Sequence, residues 1–161
     1  MAAVAIYRAP VRPEWIDYNG HLRDAYYGLI VSHAADALMD RLGMDASYRE
    51  RSGCTLYTVE MHVHFLHEVH RSETVAVAVQ LLAADHKRIH AGFELRGSSQ
   101  PALAATAELM LLHVRQGATP AAVSFPPEVA AAIAELRSAT AGQAFGPRSR
   151  ALSLGGGSRR A

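Results

Sequence analysis

An α+β fold, in which one long helix is wrapped by a curved antiparallel sheet, is what this 161-residue chain predicts. Three observations lead there. Only one long stretch, residues 21–42, carries helical periodicity, and it is apolar over much of its circumference, so other structure must cover it. Four later stretches change to strand character, with period two plainest in residues 57–65 and 89–95. Their connections are short and polar, as in an antiparallel meander. A doubly wound fold would alternate helices with strands instead.

The elements follow in order. Residues 4–11 read as a first strand, ended by Pro10 and Pro13. In the long helix Tyr26, Ile30, His33, Ala37 and Arg41 share a stripe, widened by Val31, Ala34, Leu38 and Leu42, and Gly43 stops it. In the next strand Tyr57, Val59, Met61, Val63 and Phe65 alternate with Thr58, Glu60, His62 and His64, giving one greasy face. Val75 to Leu81, Ile89 to Leu95 and residues 103–114 supply three more strands. A short last helix starts near Pro127, with Val129, Ala132, Ile133 and Leu136 on one face. Residues 1–139 thus form a single domain. Residues 140–161, rich in Gly, Ser, Ala and Arg, read as a loose tail.

Composition narrows the function. Half of the residues are hydrophobic, 19% are charged and the formal net charge is +1, so no concentrated basic face points to nucleic acid. The single cysteine, Cys54, excludes an intrachain disulfide and reads as a small buried hydrophobe. Arg8 and Arg12 follow a short, weakly apolar stretch, unlike a secretory signal, and no run approaches a membrane span. The expectation is a soluble cytoplasmic protein. His62 and His64, two apart on a strand, share a face and could chelate, but no third ligand follows at a recognisable spacing, so no metal is expected.

The run Trp15-Ile16-Asp17-Tyr18-Asn19-Gly20-His21-Leu22 carries the chemistry. It sets a carboxylate just ahead of a helix N-terminus, whose free N–H groups and dipole suit a developing negative charge. Acyl transfer needs such a pair. Asp17 would attack a carbonyl or activate water; it equally suits a cap on the turn into the helix. Gly20 lets the backbone approach a ligand closely, although an Asn-Gly pair alone means only a turn. The N–H groups near His21 to Asp24 are the oxyanion-site candidates. His21 could orient the acyl group or simply bond to backbone.

The element order, with Asp17-Tyr18-Asn19-Gly20-His21 opening the helix, Tyr26-Tyr27 within it and Val59-Glu60-Met61-His62-Val63-His64-Phe65 on the next strand, resembles the hotdog-fold acyl-CoA thioesterases of the 4-hydroxybenzoyl-CoA thioesterase-like group. The likeness covers roughly residues 4–115. With Asp36-Ala37, Asp40-Arg41-Leu42-Gly43, Tyr48-Arg49 and Lys87-Arg88-Ile89-His90 added, it is closer to the betainyl-CoA branch, which includes the domain fused to some carnitine dehydrogenases. Where many relatives carry one or two asparagines, Leu22 is followed here by Arg23 and Asp24.

The resemblance implies an acyl-CoA thioesterase without cofactor, acting on betainyl-CoA or another short acyl-CoA, with Asp17 catalytic and the N–H nearest Asp24 as oxyanion donor. It also implies a homodimer with sites shared between subunits, or a tetramer. The fold's half-open sheet, with edge strands to cover, agrees. A trimethylammonium acyl group would be held by aromatic faces helped by a carboxylate. Trp15, Tyr18, Tyr26, Tyr27 and Tyr57 are available, with Glu60 as the charge and Asn19 beside them, although core packing is the commoner fate of helix tyrosines. Lys87 and Arg88 are the best placed to meet the phosphates of coenzyme A, against an ordinary solvated role. Two other functions compete: a hydratase or dehydratase using His21 with Glu60, and a non-catalytic acyl-CoA-binding dimer.

Overall fold

A computed structural model describes residues 4–149. The first strand, β1 (Val4–Pro10), leads through a 3-10 turn (Pro13–Trp15) to helix α1 (Asp24–Arg41) and a short helix α2 (Ala46–Ser52). Then come β2 (Cys54–Phe65), β3 (Thr74–Ala84), β4 (Arg88–Gly97), β5 (Ala105–Arg115), the two-residue β6 (Ala121–Ala122) and α3 (Pro127–Ala139). All strand pairs are antiparallel, in the order β1-β3-β4-β5-β2, with β6 on β5. Helix α1 lies against one face of this sheet in a shared hydrophobic core, the hotdog arrangement.

Three features differ from the sequence reading. Helix α2 was not expected from periodicity, yet its signals are local. The Asp45 side chain accepts the Tyr48 N–H at 2.8 Å, and Gly53 closes the helix at φ 63°. Helix α1 is not covered all round. Tyr27, Ile30, Val31, Ala34 and Leu38 form its buried stripe, whereas Ser32, His33, Asp36 and Asp40 are exposed. The third difference shapes the site: the strands are not a simple meander. Strand β2 pairs with β5 at the far edge, so residues 66–73 must cross the end of the sheet to start β3.

A bulge in β2 alters a fourth expectation. The register against β5 runs Thr58↔Leu111, then Glu60↔Met110, leaving Val59 unpaired. Met61 sits opposite the buried Leu109, on the α1 side, with its sulfur near Gly28. Tyr57 sits opposite Leu112, which alternates with the buried Leu111 and so faces away. The residues Tyr57 and Phe65 therefore lie on opposite faces, and the continuous greasy face ends at the bulge.

On the outer face Gln80, Gly92, Glu108 and His62 are neighbours in register. Residues 140–149 pass over this row. Gln80 donates to the Thr140 and Gln143 carbonyls, each at 3.2 Å, and Thr106 Oγ1 donates to the Pro147 carbonyl at 3.0 Å. The Ser149 N–H donates to Glu108. A Cβ at Gly92 would lie 2.6 Å from the Phe145 ring, which fills the space that glycine leaves open. The rest of the stretch read as a tail, residues 150–161, lies outside the described residues. Among the described residues no helix is long and apolar enough to cross a membrane.

Candidate active site

The loop ahead of α1 is held from below by an aromatic stack. Trp15 is buried, its ring 5.6 Å from that of Tyr26 at 20°, with the Arg12 guanidinium 5.3 Å from the Trp15 ring. Trp15 also accepts the Arg23 N–H on its carbonyl at 2.9 Å. Residues 16–22 then fold back on themselves. Ile16 bridges Leu22, the Asp17 N–H donates to the His21 carbonyl, and Gly20, at φ 83°, completes the turn.

Inside that turn Oδ1 of Asp17 accepts the Asn19 N–H at 2.8 Å and the His21 N–H at 3.1 Å. The His21 amide is the main cause holding the Asp17 carboxyl below its ordinary value, so it is ionised at neutral pH. Oδ1 is thus anchored, while Oδ2 has no protein partner among the described residues. Turn capping thus occupies Oδ1 alone.

Helix α1 starts directly beyond. Its N-cap, Arg23, supplies no side-chain cap. The Ala25 N–H is taken by the Asp24 carboxylate at 2.8 Å and the Tyr26 N–H by the Arg23 carbonyl at 3.0 Å. The Asp24 N–H has no acceptor among the described residues. A free donor at the positive end of an 18-residue helix suits an oxyanion.

The crossover completes the pocket. The Leu22 N–H donates to the Val69 carbonyl at 2.7 Å, and His21 bridges His70, their rings 4.8 Å apart. The crossover is tied to the sheet end by His67 Nδ1 on the Leu103 carbonyl and by Glu73. Glu73 is buried; its two oxygens accept the His70 and Ser99 N–H groups at 2.8 and 3.0 Å. Burial pushes its carboxyl up, but these amide donors outweigh that and the net shift is downward.

The result is a cavity of about 500 Å³. Asp17, Tyr18 and His21 line it from the loop, and Arg23, Asp24 and Tyr27 from the helix start. Phe65, Leu66, His67 and Glu68 close it from β2 and the crossover. Tyr27 meets the Phe65 ring edge-on at 5.2 Å. Burial, with the nearby Glu68 and Glu73 charges adding to it and the Val69 amide opposing, pushes the Tyr27 hydroxyl up to about 12, so it stays a neutral donor.

Among the residues singled out from sequence, Asp17, His21, Asp24 and Tyr27 meet here, with Gly20 and Asn19 shaping the turn that holds them. Trp15 and Tyr26 support the loop without lining the cavity. Tyr57 faces away, and Glu60 is on the outer face, bonded to His62 at 2.6 Å. Lys87 and Arg88 lie at the opposite end of the sheet, where Arg88 Nη2 pairs with Asp85 at 2.6 Å. Sequence reasoning gave the side chains of Arg23, Phe65, Leu66, His67 and Glu68 no part in the cavity. Among the described residues no three His, Cys, Asp or Glu side chains gather as a metal site.

Residues 11–133 match the family described as the thioesterase-like superfamily. The betainyl-CoA thioesterase of Pseudomonas aeruginosa PAO1 is 48% identical over 135 residues, covering 83% of each chain. The L-carnitine dehydrogenase/betainyl-CoA thioesterase of Agrobacterium fabrum C58 is 36% identical over 131 residues, which span 81% of this chain and 26% of that longer one. Among solved structures, a Pseudomonas putida KT2440 protein proposed to be a thioesterase superposes with a TM-score of 0.83 at 39% identity, covering 96% of this chain and 99% of that one. A Staphylococcus aureus protein solved in complex with CoA superposes with a TM-score of 0.83 at 26% identity, covering 95% and 98%.

Proposed function

This chain belongs to the thioesterase-like superfamily and is an acyl-CoA thioester hydrolase; we propose that its acyl group is betainyl, released as betaine with free coenzyme A. The observation that carries the chemistry is one open cavity lined by the Asp17 carboxylate and by Asp24, whose N–H has no acceptor among the described residues. The thioester carbonyl enters between them. Its oxygen accepts from the Asp24 N–H as the carbon becomes tetrahedral. Asp17 either bonds to that carbon itself or takes a proton from the water that does. The carbon–sulfur bond then breaks, and where Asp17 itself attacked, water hydrolyses the resulting acyl–Asp17 anhydride, releasing the acid and restoring the carboxylate. The thiolate, a weak base beside an alkoxide, departs with little assistance and regains its proton from solvent or from Asp17.

The acyl group follows the relatives, which are named for betainyl-CoA. A panel of acyl-CoA esters, followed by release of free thiol, tests this. Betainyl-CoA is expected to give the highest kcat/KM. Water addition to an enoyl-CoA without thiol release would instead support a hydratase, the reading that pairs His21 with Glu60. Within one chain those two are on different faces of the structure, His21 in the cavity and Glu60 outside it.

The proposed assembly is a dimer joined along β2. That strand is an edge of 12 residues, with Val59 55% exposed, and a second copy would pair its free backbone groups. Val59→Lys is expected to leave a monomer by light scattering with reduced turnover, whereas the parent runs as a dimer or larger. A monomeric parent with full activity would remove the shared site from the account.

A further inference from the structure

We propose that Glu68, with the Tyr27–Phe65 edge pair, forms a cation-recognising wall in the cavity and sets selectivity for a positively charged acyl group. This rests on the betainyl reading and adds the residues that would enforce it. The argument begins with distance. In a betainyl thioester one methylene separates the carbonyl from the quaternary nitrogen. Any group that recognises that nitrogen must therefore line the same cavity as Asp17 and the Asp24 N–H.

Of the aromatics named from sequence, only Tyr18 and Tyr27 line that cavity, and Tyr18 is 93% exposed. Trp15 and Tyr26 are stacked under the loop, and the β2 bulge turns Tyr57 away. Tyr27 and Phe65 do line the cavity, their rings 5.2 Å apart at 81°. Two rings at a right angle offer a concave corner, and trimethylammonium methyls carry the partial positive charge that ring faces attract. Phe65 is 56% exposed, so its ring is available to a ligand.

The charge of the wall points the same way. Its lining holds three carboxylates, Asp17, Asp24 and Glu68, against one guanidinium, Arg23. Asp17 is assigned to the reaction, and the Asp24 carboxylate caps the Ala25 N–H. Glu68 makes no hydrogen bond or ion pair among the described residues. It is on the crossover that strand order forces across the sheet end, three residues beyond Phe65. It lines the same cavity as Tyr27 and Phe65. A free carboxylate beside an aromatic corner stabilises a permanent cation and repels an anionic acyl group.

The test compares betainyl-CoA with 3,3-dimethylbutyryl-CoA, which has the same shape with carbon in place of the charged nitrogen. The parent is expected to favour betainyl-CoA. Glu68→Gln is expected to reduce the ratio of the two kcat/KM values about tenfold, chiefly through KM for the cationic substrate, and Glu68→Asp to restore part of it. Phe65→Leu is expected to reduce the ratio several-fold. A parent without preference would overturn the betainyl reading, and this inference with it. A parent with preference whose Glu68→Gln variant keeps it, or loses both rates alike, would overturn the inference alone.

Discussion

Replacing Asp17 by Asn is expected to lower kcat/KM for betainyl-CoA by about 10²–10⁴-fold, the range typical of a removed general base. The fold should be little affected. The Asn carbonyl oxygen can still accept the Asn19 and His21 N–H groups that Oδ1 now holds at 2.8 and 3.1 Å. What disappears is the charge and basicity of Oδ2. Equal melting temperatures with unequal turnover would therefore separate catalysis from turn capping. The pH profile gives a second reading. The His21 amide holds the Asp17 carboxyl below its ordinary 3.8, so its deprotonated form persists to lower pH than usual. The loss of kcat/KM due to Asp17 should therefore set in at lower pH than an ordinary aspartate would give.

Glu73→Ala is expected to cost about 1.5–3 kcal/mol of stability, since it removes the buried carboxylate that accepts the His70 and Ser99 N–H groups. The midpoint of denaturant unfolding should fall with an unchanged slope. Local structure is built around this carboxylate: a Cβ at Gly97 would collide with it, so glycine makes the space. The sign of the pH dependence follows from the downward shift. A carboxyl whose folded value is depressed contributes stability above its ordinary value of 4.5, and that contribution is lost as pH falls through the folded value. The variant should lose the corresponding part of its acid sensitivity. Because Glu73 anchors the crossover carrying Leu66 to Glu68, KM should rise as well.

How much was legible in the sequence depends on how local each feature is. The Asp17-Tyr18-Asn19-Gly20-His21 turn could be read because its hydrogen bonds close within five residues and Gly20 announces the positive φ. The long helix and the strands could be read from period alone. The far wall of the cavity could not. Leu66, His67 and Glu68 look like a polar connection, and become a wall only because β2 pairs with β5 rather than β3. Nothing in the period of a strand names its neighbour.

Tyr57 shows a different limit. Alternation read through residues 57–65 assumes an unbroken pleat, and the bulge at Val59 breaks it. A trace was present. Leu56, on an even number, packs on the core, whereas beyond the bulge the core-facing Met61 and Val63 are odd. Likewise Asp45 and Gly53, eight residues apart, bracket a helix too short for periodicity to show.

The account's central claim is that a thioester carbonyl binds between the Asp17 carboxylate and the first amide of α1. It is tested most directly by a crystal structure of the Asp17→Asn variant with a ketone analogue of betainyl-CoA, in which methylene replaces sulfur. The predicted result is a carbonyl oxygen about 3 Å from the Asp24 backbone nitrogen, with residue 17 facing the carbonyl carbon. An analogue bound with its carbonyl outside this cavity, or with the Asp24 N–H still unengaged, would contradict it.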